Sequence, residues 1–365
     1  MSPEIMETVE TELNGDDLGV LAGSCPVPIS SHKEITLAHG SGGKLTQQLI
    51  QKMVLPQFNN ELLAPLHDGA VFTFNGLRLA FSTDSFVVNP IFFPGGDIGE
   101  LAINGTVNDL AMCGARPLYL SAAFILEEGF PMADLWRVIQ SMQRAAKAAG
   151  VSLVTGDTKV VDRGKGDKIF INTSGVGMVR TGVNIHPGRA QIGDRIIING
   201  PIAVHGIAIM SVREGLEFET VIASDTAPLN GLVEAMLAIT GDIHVLRDPT
   251  RGGISSTLNE IAEAAKVGIR LNEAAIPISE DVKGACEILG LDPLYVANEG
   301  KLLAFVRAED CDAVLAAMQT HPLGHEAAVI GEVVGEHPGY VTMKTRVGGT
   351  RVVDMLSGEQ LPRIC

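Results

Sequence analysis

Aromatic side chains are scarce: they make up 4% of the 365 residues, with one tryptophan and three tyrosines. That composition disfavours a binding protein lined with stacked rings. No long Lys/Arg run is present and the formal net charge is −16. Phosphate-backbone binding needs a basic face, so nucleic acid is excluded as a partner. The five cysteines, Cys25, Cys113, Cys286, Cys311 and Cys365, stand far apart with no C-x-x-C pair. This excludes a disulfide framework and a closed zinc site. No apolar run approaches the ~18 residues that a membrane span requires. The first 20 residues hold six acidic side chains and no basic one, whereas signal and transit peptides need basic residues. The expected location is the cytoplasm, with no membrane partner.

What the chain does have is small and apolar residues: 41 glycines and a 46% hydrophobic share. Such a balance suits an enzyme with close backbone contacts, and the length suits two domains. Residues 1–33 read as a disordered acidic extension. Residues 34–190 read as an N-terminal domain, 191–349 as a C-terminal domain and 350–365 as a mobile tail. VFTF and LRLAFST form a predicted hairpin around Asn75-Gly76. A helix of small residues follows at 97–112, then a buried strand at 117–128. In 131–149 the apolar residues Leu135, Val138, Ile139, Met142, Ala145, Ala146 and Ala149 recur at helical spacing, and Gly150 ends the helix. VSLVTGDTKV and DKIFINTSGVGMV supply two more strands. From 191 onward, helices at 205–215, 229–240, 253–266, 280–289 and 309–320 are expected, with strands at 300–306, 326–334 and 340–344. Alternation of this kind makes the class α/β plus α+β.

Four constellations carry chemistry. HGSGGK, residues 39–44, either cradles an anion on bare backbone N–H groups or merely makes a tight turn. It lacks the spacing of a Walker loop. Asp68, Asp84, Asp109 and Asp157 each stand beside small or apolar segments. Singly each reads as a cap or turn residue; together they suggest Mg²⁺ holding nucleotide phosphates. Asn108 lies one turn from Asn104 on the same helix. RDPTRGG, residues 247–253, opens a helix with Arg251, Gly252 and Gly253, either a phosphate fork or a turn with a solvated arginine. Glu299 sits in a glycine-bounded turn before KLLAF, where a carboxylate can serve as a base. Cys113, Cys286 and Cys311 read as core residues, His205 as a structural histidine and Trp136 as half-exposed.

The fourth is the terminus, where Cys365 is the last residue. Prenylation is excluded, because that signal puts Cys fourth from the end. Nine residues from Ser357 span up to ~30 Å when extended, enough to swing a thiol in and out of a site. Arg363 is placed to lower the thiol pKa. A chance exposed cysteine is the plainer alternative.

The segments FSTDSFVVNPIFFPGGDIGELAINGTVNDLAMCGARPLYLSAAFILEEG, GDTKVV, RDPTRGGISSTLNEIAEAA, DPLYVANEG and the terminal PRIC together resemble the HypE family of hydrogenase maturation factors. The resemblance runs from about Glu34 to Cys365. It implies a two-domain PurM-like fold, shared with aminoimidazole ribonucleotide synthetase and selenophosphate synthetase. In it the N-terminal domains of a homodimer pair into a β-barrel. It also implies ATP as cosubstrate, Mg²⁺, a carbamoyltransferase partner HypF and a HypC–HypD scaffold that receives cyanide for the iron of [NiFe]-hydrogenase. The implied activity is ATP-dependent dehydration of an S-carboxamide on Cys365 to a thiocyanate. An amide oxygen is a poor leaving group, so it must be phosphorylated before N–H loss can expel it.

By position within these motifs, Cys365, Lys159 and Glu299 fall in the reacting group, Glu299 as proton acceptor. Asp68, Asp84, Asp109 and Asp157 fall in the metal group. The nucleotide set is His39, Gly40, Ser41, Gly42, Gly43, Thr83, Asn108, Thr158, Asp248, Arg251, Gly252 and Gly253. Two rivals stand beside this: a selenophosphate-synthetase-like phosphotransferase, and a non-catalytic thiol carrier gated by ATP. The first would put a reactive Cys next to the glycine-rich loop, yet Cys25 lies fourteen residues before His39.

Overall fold

The computed structural model describes residues 32–215, 221–358, 361 and 363–365. The expected disorder of the acidic extension, and Cys25 with it, falls on residues outside these except for His32 and Lys33. In chain order the strands are β1 (Ala70–Phe74), β2 (Leu77–Phe86), β3 (Ala115–Glu127), β4 (Ser152–Val161), β5 (Ile169–Val179), β6 (Arg195–Ile198), β7 (Ile243–Arg247), β8 (Gly268–Asn272), β9 (Leu303–Val306), β10 (Ala328–Val334), β11 (Val341–Lys344) and β12 (Thr350–Val353). A two-residue pair, Phe92–Phe93 with Gly96–Asp97, is left without labels. The helices are α1 (Lys44–Leu49, continued by further turns to Phe58), α2 (Ile98–Met112), α3 (Met132–Ala149), α4 (Val204–Arg213), α5 (Asn230–Ile239), α6 (Gly253–Ala265), α7 (Glu280–Leu289) and α8 (Cys311–Thr320).

The N-terminal sheet has the order β1-β2-β5-β3-β4, antiparallel except for β3 beside β4. Its first hairpin turns where expected. Asn75 (φ 49°) and Gly76 (φ 80°) both take the left-handed region, as a type I′ turn requires. Helices α2 and α3 cover one face of this sheet. The Asp97 carboxylate starts α2 by accepting from Gly99 N (2.8 Å) and Glu100 N (3.1 Å). Nearly all of α2 is buried, including Ile98, Leu101, Ala102, Ile103 and Val107. Along α3 the buried positions Val138, Met142, Ala145, Ala146 and Ala149 are among those the periodicity selects, and Gly150 closes the helix at φ 71°. Trp136 faces outward, 61% exposed.

Among the described residues, nothing covers the other face of the sheet. Phe81, Tyr119, Ile125 and Met178 stand exposed on it, and β4 is exposed along almost its whole length. The strand 117–128, expected to be buried, is therefore buried on one side only. The five strands also stay open. Among the described residues of a single chain, no sheet closes into a barrel.

The second sheet has the order β12-β11-β8-β10-β6-β9-β7. It contains four strands that the sequence did not announce: β6 (RIII), β7 (IHVLR), β8 (GIRLN) and β12 (TRVV). Each is only four or five residues long and carries a His, Arg or Asn that interrupts or borders the apolar signal. Strand β12 also overturns part of the mobile-tail expectation, because residues 350–353 are paired to β11. Buried residues from both halves, from Ala80 to Val353, belong to one continuous apolar core. No described helix is long and apolar enough to cross a membrane.

Leu101 on α2 is fully buried. Leu101→Ala should lower unfolding stability in urea by about 2–5 kcal/mol, whereas Trp136→Ala should change it by no more than about 0.5 kcal/mol.

Candidate active site

A cavity of about 630 Å³ lies between the two halves, and several separate parts of the chain bring acidic groups to it. Asp68 precedes β1, Asp84 sits near the end of β2 and Asp109 lies in the last turn of α2. Asp248 follows directly on β7. Glu299 precedes β9, and Cys365 closes the ring from the terminus.

Carboxylate oxygens of Asp68, Asp109 and Asp248 lie within 4.8 Å of one another, close enough to share one metal ion. Burial pushes Asp68, Asp84 and Asp109 above the usual carboxylate range. Neighbouring carboxylates add to the shift of Asp68 and Asp109, while Arg247 opposes it at Asp68. Asp248 is pushed up to about 6, by burial first, with Arg247 opposing. One cation is already spent here: Arg247 Nε stands 2.7 Å from Asp68 Oδ1, and its Nη2 2.8 Å from Glu260 Oε2. Ser82 Oγ lies 2.7 Å from Asp109 Oδ2. His67 adds no charge, because burial, then Arg247 and His186, push it down to about 3. Asp68 Oδ2 is left buried with no hydrogen-bond partner among the described residues. Crowded oxygen ligands with an unpaired lone-pair site fit a hard divalent cation such as Mg²⁺.

The tail is docked rather than free. Val87 N donates to Cys365 O (2.9 Å) and Asn89 N to Arg363 O (3.2 Å). His205 Nε2 stands 2.8 Å from Ile364 O. Leu361, Ile364 and Cys365 are buried, Cys365 to 8% exposure. Upstream, Lys44 N donates to Leu356 O (2.9 Å), so the glycine-rich loop clamps the tail's approach. The thiol pKa moves opposite to expectation: burial raises it, with Glu299 next, while Arg251 pulls the other way. Arg363 is not the group that acts on it. Its guanidinium turns to Asp167 and to Val87 O instead.

Glu299 is 4% exposed. Burial first, then Asp248, Asp84 and Asp225, raise its pKa well above normal. Its Oε1 has no hydrogen-bond partner among the described residues. A buried carboxylate with a free oxygen beside a thiol is placed to take a proton.

Of the residues singled out by sequence, the cavity brings together Gly42, Gly43, Asp68, Thr83, Asp84, Asp109, Asp248, Arg251, Glu299 and Cys365. Asp248, expected in the nucleotide set, stands with Asp68 and Asp109 in the carboxylate cluster. Arg247, which sequence reasoning passed over, is the cation that partners Asp68.

Other expected contacts fall elsewhere in the single chain. His39 Nδ1 accepts from Thr36 N (3.1 Å), and Ser41 Oγ donates to Ala38 O (2.9 Å). Neither they nor Gly40 line the cavity. Asn108 donates to Ala227 O and Glu299 O and accepts from Leu229 N, so its amide braces the two halves. Gly252 and Gly253 serve packing: a Cβ would stand 2.3 Å from Ser256 Oγ and 2.5 Å from Leu294 O respectively. Gly43 is likewise needed where the loop meets the tail, 2.3 Å from Leu356 O. Asp157, Thr158 and Lys159 lie on the exposed edge strand β4, with Lys159 Nζ 2.8 Å from Asp157. Asp157 is therefore not part of the metal group within one chain; its carboxyl is held low by Lys159 instead.

Comparison with known proteins places this arrangement. Residues 66–179 match the N-terminal domain of AIR synthase related proteins, and residues 191–344 match the C-terminal domain. A carbamoyl dehydratase HypE of Cupriavidus necator is 56% identical over 341 residues, which cover 93% of this chain and 97% of that protein. A structure of the hydrogenase maturation protein HypE in complex with ATP superposes with a TM-score of 0.77 at 50% identity, covering 91% of this chain and all of that one. The HypE–HypF complex superposes at 0.81 with 48% identity, covering 84% and 99%. With two AIR-synthase-related domains, and this identity maintained over nine-tenths of its length, the chain belongs to the HypE family of carbamoyl dehydratases.

Proposed function

We propose that this chain uses ATP to dehydrate a carboxamide carried on the sulfur of Cys365, leaving a thiocyanate that supplies cyanide for the iron of [NiFe]-hydrogenase. The observation that carries it is the meeting of the terminal thiol, the buried base Glu299 and the acidic cluster in one cavity. A relative's complex with ATP and another's with HypF support ATP as cosubstrate and HypF as the carbamoyl donor. The HypC–HypD scaffold would be the acceptor.

Asp68, Asp109 and Asp248 would hold Mg²⁺, with Asp84 beside them. The ion would supply charge neutralisation between the nucleotide phosphates. Arg251, facing Cys365, Asp84 and Glu299, is placed to meet phosphate oxygens. The amide oxygen takes the γ-phosphoryl group and ADP leaves. The nitrogen gives up two protons, one released to water as the O-phosphorylated imidate forms and one to Glu299 as the C–O bond breaks. Phosphate departs with the original amide oxygen, and the C≡N bond completes the product. A docked thiol whose pKa is raised is a poor nucleophile, because the thiolate is the reactive form. Carbamoyl loading therefore belongs to an undocked tail and dehydration to the docked one. That division argues against a phosphotransferase, for which a terminal Cys has no use.

The uncovered apolar face of the N-terminal sheet supports a homodimer, in which two open sheets complete each other. Such pairing would carry the exposed β4 of one copy toward the other's cavity. It gives Asp157, Thr158 and Lys159 a site that they lack within one chain.

Three outcomes follow from these assignments. Asp68→Asn and Asp109→Asn should abolish Mg²⁺-dependent ATP binding in calorimetry while leaving the circular dichroism spectrum intact; retained affinity would remove the metal assignment. Glu299→Gln should still accept the carbamoyl group yet slow dehydration by about 10²-fold or more, so that the carboxamide accumulates on the tail. Phe81→Asp with Tyr119→Asp should give a monomer in light scattering, whereas an unchanged mass would exclude this face as the dimer contact.

A further inference from the structure

His205 is completely buried, yet both ring nitrogens have partners. Nε2 stands 2.8 Å from the Ile364 carbonyl oxygen and Nδ1 2.8 Å from Ser224 Oγ. A carbonyl oxygen can only accept, so Nε2 must carry a proton. Burial disfavours the imidazolium, so Nδ1 is bare and must accept. Ser224 can supply that donor. Its Oγ already accepts from Thr226 N (3.2 Å), and its own backbone N–H is fixed on Pro94 O (2.8 Å). The hydroxyl proton is thereby directed to the ring. The result is a one-way chain from Thr226 through Ser224 and His205 to the peptide just before the reactive residue. The Phe93 ring lies edge-on to the imidazole with centroids 5.6 Å apart, which fixes its plane.

The same segment also holds the base. Asp225, next to Ser224, accepts from Glu299 N (3.2 Å) and pairs through Oδ2 with Lys301 Nζ (3.2 Å). Both of these side chains are nearly enclosed, at 6% and 12% exposure. Residues 224–225 therefore set the position of the base with one residue and of the thiol-bearing peptide with the other.

We propose that His205 is a positioning residue of the reaction, a neutral latch whose tautomer is set by Ser224 and which registers the group on Cys365 against Glu299. The part concerning registration rests on Cys365 being the carrier thiol; the latch itself does not. The other tail carbonyls keep their donors at Val87 and Asn89, so removing the latch loosens the docked tail without destroying its seat.

The test uses the full chain and iodoacetamide, with alkylation mapped to the C-terminal peptide by mass spectrometry. One hydrogen bond of ordinary net strength corresponds to about three- to tenfold in a docking equilibrium. His205→Leu should therefore raise the Cys365 alkylation rate by about that factor. It should slow dehydration of a preloaded carboxamide while leaving the KM for ATP in place. His205→Gln, whose amide N–H can still donate to Ile364 O, should recover both. Ser224→Ala should shift alkylation in the same direction as His205→Leu, and it carries the test if the leucine variant does not fold. Unchanged Cys365 alkylation in a folded His205→Leu or Ser224→Ala protein overturns the latch, as does a glutamine variant no better than leucine. If alkylation shifts as expected but even the unaltered protein fails to dehydrate a carboxamide, the functional reading fails and the latch stands.

Discussion

The last residues of the chain have their backbone carbonyls taken up by fixed donors: Arg363 by Asn89 N, Ile364 by His205 and Cys365 by Val87 N. Buried carbonyls require partners, and these partners come from both halves of the molecule. Asn89 and Val87 lie just after β2, while His205 lies on α4. This clasp turns a chain end into part of an interior. Without it Cys365 would be a surface thiol, and Glu299 would be a buried carboxylate with nothing to act upon. With it the thiol shares a cavity with the acidic cluster, at a depth that suppresses its ionisation.

That cavity concentrates acidic groups whose charge is relieved by protonation or by a bound cation. Asp68, Asp84, Asp109, Asp248 and Glu299 all titrate above their ordinary values. Arg247 and Arg251 are the two arginines that face them. Arg247 is committed to Asp68 and Glu260, which leaves Arg251 facing the open space. A structure at rest with such an excess gains from binding a divalent ion, and the nucleotide phosphates then bring charge back. In a chain whose net charge is −16, the proposed function would have this local exchange, rather than long-range attraction, recruit the nucleotide.

Much of the frame was legible in sequence because the signals were local. The Asn75-Gly76 turn and the α3 periodicity ended by Gly150 each depend on a few neighbouring residues. Strand β7 was not legible: IHVLR is short and interrupted by His244 and Arg247, and it is a strand because β9 lies beside it. The site divided in the same way. Acidic residues at strand and helix ends could be picked out singly, but the grouping of Asp248 with Asp68 and Asp109 depends on two sheets meeting. Gly252 and Gly253, expected as phosphate contacts, also stand where a Cβ would meet Ser256 and Leu294, a packing demand that no local motif announces. Arg363, two residues before the thiol in sequence, was the natural choice to act on it. The chain turns that side chain away, and Arg251, 114 positions earlier in the sequence, takes its place.

The central claim is that the resident thiol carries the reacting group through both stages. The direct measurement is the mass of the C-terminal peptide after incubation with the carbamoylating partner, and again after ATP is added. The account predicts a gain of ~43 Da that falls to ~25 Da with ATP, the difference between a carbamoyl and a cyano group on one sulfur. Gains that map to Cys25, Cys113, Cys286 or Cys311, or a 43 Da gain that ATP leaves unchanged, would contradict it.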